Sequence, residues 1–264
     1  HIFNEAAYRT FDGDGMIHAV TFNEGSAHYR NRFVQTEGYK LEQAHGGWLY
    51  KGMNSMMDPT PSELPSGAPK NKNLANTAFA YHNKTLYALH EPSQPTIIDL
   101  PELTTQGATN FDGKLKHPFT AHPKVDHSSG EMMTFGYSPF PPYLTYSVVS
   151  AEGRAVHTQE ITIPKGVMMH DCAITAHYTI FPDLPLVFDF DKLLKGESMI
   201  GWEPENGCRI GVVPRFGSDD SIRWFEIEES FLFHVANAWE DGDEIVLQAC
   251  RSDRGAIETS ADHD

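Results

Sequence analysis

The sequence predicts an all-β fold, and three features of its pattern support that class. Short apolar runs rich in β-branched and aromatic residues recur about every 10 to 15 residues. Gly, Pro, Asn and Asp separate these runs, as turns between strands require. Amphipathic helical spacing is rarely sustained. This rhythm is typical of a β-propeller, a β-sandwich or a large barrel, and the absence of a fixed-length repeat leaves these three open.

The predicted strands follow one another along most of the chain. Residues 11–22, FDGDGMIHAVTF, predict a hairpin with its turn at the Gly-Asp-Gly of residues 13–15. Residues 142–163 form a second strand–turn–strand pattern. Further strands are predicted at residues 85–91, 95–100, 117–125, 130–138, 168–182, 186–190, 208–215, 222–227, 231–239 and 243–250.

Two segments depart from this rhythm. Residues 51–76 are polar and rich in Pro, Ser and Asn, which predicts a surface loop with one short helical turn. Residues 191–201, DKLLKGESMIG, predict a brief helix on the outer surface. No change in composition marks a linker between independent domains. We therefore expect residues 1–264 to form a single domain.

The composition argues against two classes of protein. The formal charge is −16 and no basic run is present, whereas binding to nucleic acid requires clustered Lys and Arg. No stretch approaches the roughly 18 consecutive apolar residues of a membrane-spanning helix. With 40% hydrophobic and 21% charged residues, the chain has the composition of a soluble globular protein.

The cysteines and the N-terminus bear on the cellular compartment. Cys172, Cys208 and Cys250 are odd in number, widely spaced and without a C-x-x-C pair. This pattern predicts free, buried thiols in a reducing compartment. The first residues, HIFNEAAYRT, lack the basic start and apolar middle of a signal peptide. We expect a cytoplasmic protein, or a plastid protein if a transit peptide precedes residue 1.

Three of the 14 histidines stand out by their setting. His122, His170 and His234 each lie in or at the end of an apolar strand, and a polar or chain-turning element follows. Ligands this far apart in sequence would come from different strands that converge on one centre. No H-E-x-x-H or H-x-H pair indicates a common zinc site. From the residues alone, a metal site and three core histidines both remain open. We place seven others on the surface: His1, His28, His45, His82, His127, His157 and His263.

The segments around these histidines resemble the carotenoid cleavage dioxygenases, in order and over nearly the whole chain. Residues 114–188 look most like the plant-type enzymes that cleave carotenoids at the 9,10 and 9′,10′ bonds. The matching segments are FDGDGMIHAVTF (11–22), NRFVQTE (31–37), ALHE (88–91), KHPFTAHPKVDHSSGEMMTFGYS (116–138), PPYLTYSVVS (141–150), ITIPKGVMMHDCAIT (161–175) and FLFHVANAWEDGDEIVL (231–247).

The resemblance implies an iron(II) site held by histidines alone. TAHPK would supply His122, MHD would supply His170 and FHxxNAWE would supply His234, with a fourth histidine beyond residue 264. Glu91 of ALHE would accept a hydrogen bond from a ligand histidine, His170, and so fix its orientation. A surface ion pair is the alternative for Glu91. Thr77 would lie close to an open coordination position.

The resemblance also implies the fold and the reaction. The fold would be part of a seven-bladed β-propeller, with loops and short helices on one face, and incomplete at both ends of the chain. The reaction would add both atoms of dioxygen across one double bond of a carotenoid or apocarotenoid. Substrate extraction would require peripheral contact with a membrane, and no obligate protein partner is indicated. Whether the fragment alone holds iron or is active stays open.

Two other functions remain open. A lignostilbene-type dioxygenase would use the same iron site on a phenolic stilbene, but that group has a Lys where this chain has His90. The second alternative is a metal-free propeller that serves as a binding platform, in which the histidines are core residues. Aromatic residues beside the ligand strands could line a tunnel for an apolar substrate or could be ordinary core: Phe119, Phe135, Tyr137, Phe233 and Trp239.

Overall fold

The computed structural model describes residues 10–52, 64–189, 191–192 and 199–255. Contacts between residues divide the chain into two compact units, His1–Asn110 and Phe111–Asp264. The expectation of a single domain over residues 1–264 therefore stays a prediction, and each unit is described by itself.

The first unit begins with a regular hairpin and a short helix. Strand β1, Met16–Asn23, pairs antiparallel with β2, Ser26–Phe33, through a turn at Glu24 and Gly25. Both turn residues have positive φ, 47° and 79°, which a tight hairpin turn needs. Helix α1, Glu37–His45, begins where the Thr36 hydroxyl accepts a hydrogen bond from Tyr39 N and ends at Gly46.

A four-stranded antiparallel sheet completes the first unit. Its strands follow one another in sequence order: β3, Ala78–His82; β4, Thr85–Leu89; β5, Thr96–Asp99; and β6, Thr104–Ala108. Asn83 and Lys84 join β3 to β4 with positive φ at both positions. Buried residues of the sheet pack with Ile17 of β1 and with Val34 just after β2.

The second unit contains two more four-stranded antiparallel sheets. One has the order β10-β9-β8-β7 and the other β11-β12-β15-β16. Two hairpins, β13–β14 and β17–β18, accompany them. The strands are β7, Lys124–Val125; β8, Met132–Tyr137; β9, Leu144–Val149; β10, Ala155–Ile161; β11, Ala173–Ile174; β12, Tyr178–Asp183; β13, Leu186–Phe188; β14, Ile200–Trp202; β15, Arg209–Pro214; β16, Arg223–Glu226; β17, Phe231–Asp241; and β18, Glu244–Ser252.

The core of the second unit lies between its two four-stranded sheets. Phe135 of β8 and Tyr146 of β9 pack edge-on against Phe181 of β12, at ring-centroid distances of 5.8 and 5.5 Å. All three side chains are fully buried. The Tyr146 hydroxyl forms a hydrogen bond with the Thr179 hydroxyl, so its polar end is satisfied inside the core. This packing gives the loops at the sheet ends a rigid support.

The all-β prediction is confirmed, and five local expectations need correction. Of the strands predicted at residues 117–125 and 168–182, the structure has only β7, β11 and β12, so His122 and His170 lie outside strands. The hairpin turn lies at residues 24–25 rather than at 13–15. His82 is buried, because the inward face of β3 carries Ala80 and His82. Cys250 is exposed, whereas Cys172 and Cys208 are buried, and all three are free. Helix α1 was not expected.

The two irregular segments are described only in part. Residues 64–76 form a loop without helix or strand, as expected, and the predicted helical turn is not found there. Residues 53–63 of that loop lie outside the described residues. Asp191 and Lys192 are helical, but residues 193–198 of the predicted brief helix also lie outside the described residues. No helix in the described ranges has the length and apolarity that crossing a membrane requires.

Candidate metal centre

Three histidines from distant parts of the sequence meet within the second unit. His122 lies just before β7, His170 lies between β10 and β11, and His234 lies in β17. One nitrogen from each ring lies within 4.8 Å of the other two. The ring centroids are 4.4 Å apart for His122 and His170, and 4.9 Å from each of these to His234. The rings meet edge to face, and one nitrogen of each borders a shared volume.

The geometry of this cluster fits a metal ion held by imidazoles. His122 Nε2 and His170 Nε2 are 2.9 Å apart. Two adjacent nitrogens at about 2.1 Å from one metal, with about 90° between their bonds, would be about 3 Å apart. His122 and His170 are half-buried and His234 is exposed, so one side of the cluster is accessible. Among the described residues, no carboxylate joins the three rings in a metal-binding group.

The segment that carries His122 is attached to the neighbouring sheet. Thr120 N donates a hydrogen bond to Phe135 O of β8, and His122 N donates to the Thr120 hydroxyl. His117, at the start of the segment, bonds through Nδ1 to Pro118 O and through Nε2 to the Ser147 hydroxyl of β9. Burial lowers the pKa of His117, so its ring is neutral. The Nδ1–H donates and Nε2 accepts, which attaches the start of the segment to β9.

The strand that carries His234 is irregular at that point. The pairing of β17 with β18 slips between Leu232 and Val235, and again between Val235 and Asn237. Such a bulge turns a side chain away from its ordinary alternation. Phe233, beside the ligand, is 37% exposed, and its ring meets the His170 ring edge-on at 4.7 Å. An apolar ring therefore borders the histidines on their open side.

A carboxylate anchors the far part of β17. Glu240 Oε1 accepts hydrogen bonds from the Thr175 hydroxyl and from His177 N, and Oε2 accepts from His177 Nδ1. These hydrogen bonds, that of Thr175 first, lower the pKa of Glu240 to about 2. Glu240 is the last residue of the motif FHxxNAWE, and the sequence did not predict this anchoring role. Its contacts attach the β17–β18 hairpin to the turn between β11 and β12.

The two other predicted site residues lie in the first unit. Thr77 is exposed, its hydroxyl donates to Asn76 Oδ1, and its N–H donates to Leu89 O. Glu91 follows β4 and is half-buried. The roles of Glu91 and Thr77 beside a metal therefore stay predictions.

The candidate tunnel residues divide into three groups by their exposure. Phe119 and Phe135 are fully buried in the core of the second unit. Tyr137 is half-buried and stacks on Phe188 at 6.0 Å. Phe233 and Trp239 are each 37% exposed. The ring of Phe233 contacts the rings of His170 and His234.

The chain is similar to known proteins in family profile, in sequence and in structure. The profile of the family described as RPE65, retinal pigment epithelial membrane protein, matches residues 2–264. The carotenoid 9,10(9′,10′)-cleavage dioxygenase 1 of Arabidopsis thaliana is 44% identical over 93% of this chain and 49% of its own length. The chain thus spans about half the length of the curated relatives it matches.

Solved structures of related oxygenases also resemble the chain over about half of their own length. The lignostilbene dioxygenase of Pseudomonas brassicacearum has a TM-score of 0.81 and 32% identity, over 93% of this chain and 51% of that one. Cobalt-substituted apocarotenoid oxygenase of Synechocystis has a TM-score of 0.78 and 28% identity, over 98% and 56% of the two chains. This likeness confirms the predicted fold, which is part of a β-propeller.

Proposed function

The chain belongs to the family described as retinal pigment epithelial membrane protein, and we propose that His122, His170 and His234 hold iron(II) for the oxidative cleavage of a carotenoid or apocarotenoid. The 44% identity to a plant carotenoid 9,10(9′,10′)-cleavage dioxygenase supports the 9,10 and 9′,10′ bonds as the targets. The proposed fourth ligand is a histidine beyond residue 264.

One observation carries this proposal. Three imidazole nitrogens from separate parts of the chain lie within 4.8 Å of one another. Core histidines that merely fill space have no need to turn their nitrogens toward a common point. Imidazole suits iron, zinc, copper and nickel, so the donor set alone does not select the metal. Membership of the family supports iron as the metal. A cobalt-substituted form of the apocarotenoid oxygenase of Synechocystis is known, so cobalt can serve as a probe metal in a relative.

The reaction balances without an external reductant. One carbon–carbon double bond breaks, both atoms of dioxygen are consumed, and two carbonyl groups form. When bound, iron(II) would supply the position at which dioxygen is activated. No protein group needs to donate or accept a proton in this overall change. Cys172, the thiol nearest in sequence to His170, is fully buried, and burial raises its pKa to about 12, so it is no nucleophile.

The chain itself would orient the metal and meet the substrate. Thr120 N donates to Phe135 O and so holds the His122 segment against β8, and Glu240 attaches β17 to Thr175 in the turn between β11 and β12. The exposed ring of Phe233, 4.7 Å from His170, offers an apolar contact for a polyene beside the metal. A polyene of this kind dissolves in membranes rather than in water. Peripheral contact with a membrane surface is therefore part of the proposal.

A phenolic stilbene is the second candidate substrate. The TM-score of 0.81 to a lignostilbene dioxygenase favours it. Against it stands His90, at the position where a Lys would pair with the phenolate. Burial lowers the pKa of His90 to about 4, so the ring is neutral at pH 7 and brings no positive charge. We therefore rank the carotenoid first.

Product analysis under isotope-labelled dioxygen tests the proposal. The protein is loaded anaerobically with iron(II) and given β-carotene, an apocarotenal and a lignostilbene in separate reactions. We expect two carbonyl products from a carotenoid or apocarotenal, each with one labelled oxygen. His170→Ala should abolish both products, whereas His127→Ala, at an exposed histidine outside the cluster, should not. Products without label would contradict the proposal, and cleavage of the stilbene alone would favour the second candidate.

A further inference from the structure

Asp171 is a buried carboxylate with three hydrogen-bond donors around it. Its side chain is 3% exposed. Oδ1 accepts from Cys172 N at 2.8 Å and from Lys124 Nζ at 2.6 Å. Oδ2 accepts from Val235 N at 2.9 Å. Both oxygens are thus satisfied, one of them by an ammonium group, as a buried charge requires.

The donors of Asp171 connect it to all three histidine segments. Asp171 directly follows His170 in the sequence. Val235 directly follows His234, and Lys124 comes two residues after His122. One carboxylate therefore joins three stretches of chain that are far apart in sequence, each at the point where it carries a candidate ligand.

The bulge in β17 explains why this connection is needed. Register slips on both sides of Val235 interrupt the regular ladder with β18. The Val235 N–H instead donates to Asp171 Oδ2. The backbone beside His234 is thus positioned by a side chain from the segment that carries His170, and less by its own sheet.

We propose that Asp171 is a positioning residue that sets the metal affinity by holding the segments of His122, His170 and His234 together. The inference rests on the proposed metal centre and adds a residue to it. Asp171 touches neither metal nor substrate in this account. It reduces the freedom of three imidazoles to separate when no metal is bound, so less order has to be gained on binding.

A purely structural role is the competing explanation, and the chain offers a matched control. Asp183 is also in the second unit, its side chain is 2% exposed, and it pairs with Arg209 Nε at 2.8 Å. Lys124 and Arg209, the two cationic partners, are similarly shielded, at 27% and 20% exposed. The Asp183 pair joins β12 to β15 and none of the histidine segments.

Cobalt(II) binding separates the two explanations, because its visible absorption reports affinity and ligand geometry without any turnover. We expect Asp171→Asn to weaken binding about 10- to 100-fold, the usual range for groups that orient ligands. Lys124→Met should weaken it less, since the two backbone donors to Asp171 remain. Asp183→Asn should leave the affinity within about twofold of the wild-type value. Equal losses in Asp171→Asn and Asp183→Asn would overturn the proposal.

Amide hydrogen exchange on the metal-free chain gives a second, independent readout. Lys124→Met, at a partly exposed residue, keeps the experiment informative if Asp171→Asn fails to fold. We expect faster exchange at Val235 and in the segments around residues 122 and 170, with β8 and β9 unchanged. Unchanged exchange at Val235 in Asp171→Asn would overturn the inference, as would unchanged exchange around residue 122 in Lys124→Met. Failure of the wild-type chain to bind cobalt would instead overturn the proposed metal centre, and the exchange data would still decide the role of Asp171.

Discussion

The two long hairpins of the molecule, one in each unit, are anchored in different ways. β1–β2 keeps one continuous register from Met16–Phe33 to Asn23–Ser26. β17–β18 slips twice around Val235, next to His234. Arg30 attaches the first hairpin to Glu102 through an ion pair whose side chains are 43% and 60% exposed. Asp171 and Glu240, which are 3% and 25% exposed, attach the second hairpin.

The difference between the hairpins shows that a strand loses regular backbone pairing where it turns a side chain out of the usual alternation. A continuous ladder fixes β1–β2 through its own backbone hydrogen bonds, so surface contacts are sufficient support. The bulge in β17 gives up part of that ladder at the place where His234 must face the other rings. Two carboxylates supply restraint instead: Asp171, from the segment that carries His170, and Glu240, at the far end of β17 itself. The hairpin with the proposed function is therefore the one that depends on side-chain hydrogen bonds.

The largest effect should come from removing a histidine of the cluster. His170→Ala removes one of the three ligands proposed within residues 1–264, so we expect metal affinity to fall more than about 100-fold, beyond the range for supporting residues. His18→Ala removes an exposed histidine from the regular β1 strand and should leave affinity within about twofold of wild type. Cobalt titration measures both. Similar affinities in the two variants would contradict the assignment of His170 as a metal ligand.

The next effect should come from the anchor of β17. Glu240→Gln weakens three hydrogen bonds to a charged acceptor, so we expect the local free energy of opening of β17–β18 to fall by about 1 to 2 kcal/mol. Amide hydrogen exchange of the hairpin measures this quantity. A change confined to β1–β2, or none at all, would contradict the assigned anchoring.

The contribution of Glu240 should depend on pH in one direction. Its pKa is lowered in the folded chain from 4.5 to about 2, so folding favours the ionised form. The stabilisation is fully present above the unfolded pKa and is lost as the pH falls through the folded pKa. We expect the difference in hairpin stability between wild type and Glu240→Gln to shrink from about pH 4.5 to about pH 2. A difference that grows in this window would reverse the sign and refute the assignment.

The smallest effect should come from the exposed ion pair of the first hairpin. Glu102→Gln removes the charge that faces Arg30, and exposed pairs contribute about 0 to 1 kcal/mol. We expect a loss of less than about 0.5 kcal/mol in the opening free energy of β1–β2 by hydrogen exchange. If Glu102→Gln lowered this free energy as much as Glu240→Gln lowers that of β17–β18, the exposed ion pair would stabilise its hairpin as strongly as the shielded carboxylate. That result would contradict the distinction between the two hairpins.

The sequence identified the candidate ligands but not the groups that hold them. The sequence places His122, His170 and His234 each in or at the end of an apolar strand. The structure brings the three rings together, although of the three only His234 lies in a strand. Asp171 has no such local signature, because its partners Lys124 and Val235 come near it only in the folded chain. The bulge in β17 is likewise invisible, since FLFHVANAW also fits a regular strand.

The role of a single glycine in the fold was also not predictable from the sequence. FDGDG suggested a turn, but a Cβ on Gly15 would lie 2.1 Å from Ala75 O, so this glycine permits a close approach of two backbones. Gly15 N donates to Leu74 O and Gly15 O accepts from Val34 N, which confirms that approach. Strand positions were predictable because they depend on local alternation. The reason for a glycine depends on what folds against it.

The most direct test of the metal centre is X-ray absorption of the cobalt(II)-loaded chain beside its His234→Ala variant. We predict one cobalt per chain and a first shell that includes three imidazole nitrogens at about 2.1 Å, falling to two in the variant. The matched control His127→Ala should give the wild-type spectrum. A spectrum without imidazole scattering, or one that His234→Ala leaves unchanged, would contradict the claim that these three histidines share one metal.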